Sequence, residues 1–141
     1  MENGKLPGQV MLDLGDVRNF AEVTVNGKIF PVLWRPPFRV DITEALPQAE
    51  DAANEFPILN FQLSIRVTNL WPNRLIGDEK LPPDCEWRGP GLAKIPEWVE
   101  KGAPSPTGRH TFTTWRLWSK DEPLLPSGLI GPVRQLVVEV N

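Results

Sequence analysis

The sequence predicts an all-β fold, an antiparallel β-sandwich of the jelly-roll form, and three observations carry that prediction. Apolar and polar residues alternate with period two in several separate segments, which marks strands buried on one face. Sixteen prolines in 141 residues, about twice the usual share, argue against long helices. Six tryptophans and 40% hydrophobic residues still supply ample surface to bury, so this much proline does not mean disorder.

Taken in order, "QVMLDLG" places Val10, Leu12 and Leu14 on one face. In "AEVTVNGKIFPV", Ala21, Val23 and Val25 alternate with Glu22 and Thr24 before Asn26-Gly27. Asn-Gly accepts the positive φ angles of a type I′ turn, whose twist suits a hairpin. "RVDIT" points Val40 and Ile42 inward and Asp41 and Thr43 outward. The cleanest strand is "FQLSIRVTN", with Phe61, Leu63, Ile65 and Val67 on one face. "RQLVVEV" is read with Leu136, Val138 and Val140 inward. "HTFTTWRLW" is read as a strand with apolar residues on both faces, Phe112 and Trp118 on one and Trp115 and Leu117 on the other.

Between Trp71 and Arg109 the pattern breaks down into a long, ordered, Pro/Trp-rich loop with seven prolines. Its one helical hint is "IPEWVEKGA", with Pro96 as the first helical residue and Gly102 just past the end. Connections of this length are normally functional or disordered, and the Trp and Pro content favours order.

Composition excludes several functions. A net charge of −3 with interspersed signs leaves no basic footprint for nucleic acid. No apolar run is long enough to span a membrane. Cys85 is the only cysteine, so an internal disulfide and a cysteine-built zinc site are both ruled out. His110 is the only histidine and lacks a nucleophile motif beside it, so it reads as a half-exposed strand residue. The adjacent pairs Asp78-Glu79 and Asp121-Glu122 would point to opposite faces of a strand, and neither makes a glycosidase acid–base pair.

Several stretches together resemble a known family. "LDLGDVRNFAEVTVNGK", "VLWRPPFRVDIT" and "NFQLSIRVTNLWPNRLIGDE" resemble the galactose-binding-like sandwich of family 2 glycoside hydrolases and their relatives. "FTTWRLWSKDEPLLPSGLIGPVR" is similar to the C-terminal region of bacterial enzymes of the α-L-rhamnosidase type, glycoside hydrolase family 106. The resemblance implies one galactose-binding-like domain over residues 1–141, excised from a larger secreted enzyme of the periplasm or cell exterior. It implies that catalysis belongs to another domain, which this one braces or assists at the sugar. Two departures stand out. "PQAEDAANEFPIL" stands where the family needs only a tight turn between Leu46 and Asn60. The start is also abrupt, since these sandwiches normally begin with another strand before "LDLG", so the chain is expected to be an excised piece that lacks an edge strand.

The candidate site residues follow from these readings. Trp71, Asn73, Arg74 and Asp78 in "NLWPNRLIGD" read either as a packed, hydrogen-bonded loop or as a sugar site. In the sugar site, Trp71 would stack on a pyranose and the polar three would bind hydroxyls. Proline after Trp71 biases that residue towards an extended conformation. Core packing is the default for Trp34, Trp115 and Trp118. Trp87 and Trp98, in the long loop, are the better sugar platforms or docking anchors. No catalytic residue is assigned. No cofactor is expected; sandwiches of this kind leave room for a structural calcium ion, but no D-x-D-x-D ligand run is present. The expected partners are the catalytic domain of the parent enzyme and a plant or pectic oligosaccharide, with no nucleic acid and no membrane. A free-standing carbohydrate-binding module and a protein-interaction domain are the alternatives. An exposed strand edge, partly blunted by Pro7, is expected to allow a weak dimer.

Overall fold

The computed structural model describes residues 8–47 and 61–139. The expectations for Pro7, for the insertion between Leu46 and Asn60, and for Val140 fall outside these residues. Strands predominate, all their pairings are antiparallel, and the chain divides into two compact units. One comprises Met1–Asn69 with Pro126–Asn141, the other Leu70–Leu125.

The first unit contains β1 (Gly8–Asp13), β2 (Asp16–Arg18), β3 (Phe20–Val25), β4 (Lys28–Ile29), β5 (Arg39–Asp41) and β6 (Leu63–Thr68). The strands that follow β7 and β8 of the second unit, β9 (Gly128–Gly131) and β10 (Arg134–Glu139), return to it. Two three-stranded sheets, ordered β10-β1-β5 and β4-β3-β6, turn faces towards one core, and β2 pairs with β9. The alternation read from the sequence holds in β1, β3 and β6. Val10, Leu12, Leu14, Ala21, Val23 and Val25 are buried, with Leu63, Ile65 and Val67 packed against them. Asn26 (φ 48°) and Gly27 (φ 82°) both adopt positive φ in the β3–β4 turn, as a type I′ hairpin requires. The Asn26 amide also bridges other segments: it accepts the Gln62 N–H at 2.8 Å and donates to the Ala45 carbonyl at 2.7 Å.

β10 departs from its expected facing. Val137 lies opposite Val10, while Leu136 and Val138 lie opposite Met11 and Gln9 on the other face of β1. Residues directly opposite in an antiparallel pair share a face, so Leu136 and Val138 do not point at the core. Val138 is exposed, and so is Val137, because β10 is the end strand of its sheet among the described residues. Trp34, expected in the core, is exposed and lies under the Arg35 guanidinium. β2 and β9 were too short and irregular to carry a periodic signal.

Gly15 joins β1 to β2 with φ +66°, its N–H held at 2.9 Å by the Asp13 carboxylate. A Cβ on Gly15 would stand 2.5 Å from the carbonyl carbon and oxygen of Gly131, which are backbone atoms with no rotamer to yield. Gly15→Ala therefore meets both the left-handed conformation and a main-chain clash. It is expected to cost about 2 kcal/mol or more, seen as a lower urea midpoint at an unchanged denaturant slope.

The second unit holds α1 (Pro72–Asp78), a hairpin of β7 (Trp87–Arg88) and β8 (Gly91–Leu92), and α2 (Glu97–Glu100). The supposed long loop thus carries its own secondary structure. α2 lies where the sequence placed it, but Pro96 is its extended N-cap residue rather than its first helical one. Gly102 takes φ +60° just past its end. Two further expectations fail. Trp71 is helical (φ −70°, ψ −21°) despite the proline after it, because its carbonyl accepts the Leu75 N–H at 3.0 Å and so opens α1. Pro72 then sits in the first turn, where a missing N–H costs nothing. "HTFTTWRLW" forms no strand beyond an isolated bridge between Trp115 and Gly91. Its backbone is engaged by other partners, and His110 and Trp115 are exposed rather than placed in a strand or a core.

Candidate functional site

Eleven of the twelve buried apolar side chains belong to the first unit, and Ile76 alone to the second, among the described residues. The second unit is organised instead by a buried polar cluster. α1 presents it, because Asp78 and Glu79 are consecutive at the end of a helix and so diverge by about 100° rather than lying on opposite faces of a strand.

Asp78 is 3% exposed. One of its carboxylate oxygens accepts the Thr111 N–H at 2.7 Å, the Thr111 hydroxyl at 2.9 Å and the His110 N–H at 2.9 Å. Arg74, one helical turn earlier, approaches the other oxygen at 3.5 Å. Burial pushes the Asp78 carboxyl up, but the Thr111 and His110 donors, with Arg74 beside them, hold it below its usual 3.8. A general acid needs the opposite direction.

Glu79 receives Arg109 Nη1 at 3.0 Å on one oxygen, and Arg116 Nε and Nη2 at 3.0 and 2.9 Å on the other. Arg109 also donates to the Asp78 carbonyl at 3.1 Å, and its Nε lies 3.2 Å from Asp84 Oδ1 without hydrogen-bond geometry. The side chains of Arg109, Glu79 and Asp84 are each less than a tenth exposed. Asp84 in turn accepts the Ser105 hydroxyl at 2.6 Å, and its carbonyl accepts the Trp98 indole N–H at 3.4 Å.

The sequence-predicted residues separate against this frame. Asn73 is bound on both sides to Leu125, accepting its N–H and donating to its carbonyl, each at 2.8 Å. Arg74 and Asp78 pair along α1 rather than across a loop. Asn73 and Asp78 therefore follow the packed, hydrogen-bonded alternative. Trp71 is 65% exposed at the start of α1. Trp87, half-buried on β7, has the Arg116 guanidinium 5.5 Å from its ring centroid. Trp98, half-buried on α2, meets Phe112 edge-on at 5.8 Å and 86°.

Sequence reasoning missed Glu79, Asp84, Arg109, Thr111 and Arg116 as a connected set. The only signal was an excess of charge in a proline-rich stretch with little apolar periodicity, since such charges need partners if they are to be buried. Among the described residues no group of His, Cys, Asp and Glu side chains converges as a metal site, and no helix is long and apolar enough to cross a membrane.

No family model matches the sequence. The chain is nevertheless similar to segments of two proteins that carry glycoside hydrolase names. It is 45% identical over 130 residues to a "Putative beta-glucuronidase" of Formosa agariphila, a match covering 92% of this chain and 10% of that protein. A rhamnosidase from Novosphingobium sp. PP1Y matches 90% of the chain and 9% of its own, with a TM-score of 0.58 and 35% identity. The chain spans about a tenth of the length of these relatives.

Three outcomes test the polar cluster. Arg109→Met removes the cation beside buried Asp84 and leaves Glu79 with Arg116 alone, and is expected to destabilise by about 3–5 kcal/mol. Asp78→Asn weakens three hydrogen bonds to a charged acceptor and is expected to cost roughly 2 kcal/mol; chemical denaturation measures both. Asp13 is likewise held below 3.8, by the Gly15 N–H first and then by Arg39. Carboxylates lowered on folding contribute stability that is complete above the unfolded value and lost as pH falls through the folded one. Stability should therefore decline below about pH 4, and less steeply in Asp78→Asn.

Cys85 yields a chemical test. Burial, followed by a hydrogen bond to the Asp84 carboxylate, pushes its thiol from 9.0 to about 11. Only about one molecule in ten thousand carries the thiolate at neutral pH. Iodoacetamide should label Cys85 slowly in the folded chain and at the rate of a free thiol in urea.

Proposed function

We propose that this chain is a non-catalytic accessory domain of a multidomain glycoside hydrolase, galactose-binding-like in fold and α-L-rhamnosidase-like in parentage. The observation that carries the reading is the match of nearly the whole chain to about a tenth of two much longer proteins with glycosidase names. The state of the buried carboxylates supports it. Asp78 and Glu79 are engaged by internal donors and guanidinium groups, so neither is available as the acid–base pair that glycoside hydrolysis requires. Two antiparallel sheets around one core are compatible with a jelly-roll sandwich. The parent enzyme would act in the periplasm or outside the cell, where polysaccharide substrates occur.

In this role the domain braces a catalytic domain or reaches towards its sugar. Exposed Trp71, Trp115, Leu117 and Leu124 on the second unit would supply apolar contacts to another protein surface. The outer edge of β10, unpaired among the described residues and carrying exposed Val137 and Val138, would also permit weak pairing of two copies. The test is direct. The purified chain should hydrolyse neither aryl-rhamnosides nor aryl-glucuronides, and turnover that co-purifies with the chain through successive columns would sink the proposal.

A further inference from the structure

We propose that the groove around Trp98 is a binding site for a neutral pyranose, stacked on the indole and hydrogen-bonded by the carboxylates at its rim. The inference rests on the accessory-domain reading for its choice of carbohydrate over other ligands; the geometry is independent of that reading.

The groove lies wholly within the second unit and encloses about 610 Å³, inside the ~300–1,000 Å³ range of small-molecule sites. Its walls are Pro83, Pro96, Pro104 and Pro106. Proline has no backbone N–H to desolvate and a locked φ, so these walls are apolar and stiff before any ligand arrives. Trp98 is held in place from two sides. Its indole N–H reaches the Asp84 carbonyl, and Phe112 abuts it in a T-shaped contact. Asp84 is itself clamped by Ser105 and Arg109. An aromatic ring with its orientation already set offers a stacking face without the usual loss of side-chain freedom.

Three of the other tryptophans are placed differently. Trp87 has Arg116 over its ring, and Trp34 and Trp71 are more than 60% exposed. Trp98 combines a set ring with a concave surround.

Charge selects the class of sugar. The charged lining comprises Asp84, Glu86, Glu97 and Lys94. Asp84 is neutralised by Arg109 behind it, and each rim carboxylate carries its own ammonium partner, Glu86 with Lys94 at 3.3 Å and Glu97 with Lys101 at 2.9 Å. Paired carboxylates still accept hydrogen bonds from sugar hydroxyls, while ammonium groups already paired with them add no attraction for a uronate. The groove therefore suits a neutral hexose or deoxyhexose better than an anionic one.

The experiment follows the indole N–H resonances of the ¹⁵N-labelled 141-residue chain during titration. The probes are methyl α-L-rhamnoside, methyl α-D-galactoside, sodium glucuronate and tetramethylammonium. Trp98→Phe assigns the Trp98 resonance and keeps an aromatic ring against Phe112, with the remaining indole signals reporting that the variant is folded. The expected result is a saturable Trp98 shift at millimolar concentration with at least one neutral glycoside, several-fold weaker with glucuronate. Glu97→Gln and Glu86→Gln, both at exposed positions, should weaken that binding several-fold in at least one case, with the indole signals other than those of Trp87 and Trp98 reporting an unchanged fold. The proposal is overturned by no saturable Trp98 shift with either neutral glycoside, by glucuronate binding as tightly, by a response to tetramethylammonium alone, or by unchanged affinity in both glutamine variants. An unresponsive chain that also hydrolyses nothing removes the groove and leaves the accessory reading standing. Hydrolysis by the chain removes the accessory reading whatever the groove does.

Discussion

Arg109 places one guanidinium among two buried carboxylates and a helix-end carbonyl, and the architecture of the Leu70–Leu125 unit depends on that placement. An ionised group can be buried only if its partners are already in position, because the desolvation penalty is large and unforgiving of geometry. Satisfying Arg109 therefore ties the end of α1, through Glu79, to the segment around Asp84. Asp78, the neighbour of Glu79, then captures the backbone of His110 and Thr111. Glu79's second oxygen takes Arg116, which lies over Trp87, and Asp84's carbonyl takes the indole of Trp98. The two half-buried aromatic rings are thus placed by ion pairs and hydrogen bonds more than by a shared apolar core.

The Met1–Asn69 and Pro126–Asn141 unit is built on the opposite principle. Its interior is a continuous apolar cluster from Val10 to Leu46, with β6 packed against it, and apolar burial is roughly proportional to area and indifferent to direction. Directional demands arise there mainly at turns. Asn26-Gly27 needs positive φ, and Gly15 must pass within contact of the Gly131 carbonyl. The two units accordingly differ in what disturbs them. Lost methylenes and wrong turn residues threaten the first and lost charge complementarity the second, while acid reaches both, through Asp13 and Asp78.

This division bears on function. The carboxylates that are conspicuous in the sequence, Asp78 and Glu79, are engaged in holding structure together, and burial with internal donors leaves Asp78 more acidic than usual. Among the described residues, the second unit exposes Trp71, Trp115 and Leu117 and has a groove lined by four prolines, Trp98 and the charged Asp84, Glu86, Glu97 and Lys94. The chain's similarity to a small part of two long proteins with glycosidase names accords with an accessory role.

Much of the β-fold was legible from the sequence because its determinants are local. Period-two burial in β1, β3 and β6 and the Asn-Gly turn need no distant partner to be recognised. So was the short helix at Trp98, announced by Pro96 and closed by Gly102. The sequence could not say that Trp71-Pro72 opens a helix, since the preference of a pre-proline residue for extended backbone is weaker than one helical turn closed on its carbonyl. It could not assign the facing of β10, because Val137 and Val138 are equally apolar and only the register against β1 decides between them. Nor could it show that "HTFTTWRLW" abandons a strand for the carboxylate of Asp78, 33 residues from Thr111. Tertiary structure decided these points for one physical reason: each rests on a directional contact between residues far apart in the chain, whereas periodicity records only how neighbouring residues partition between core and solvent.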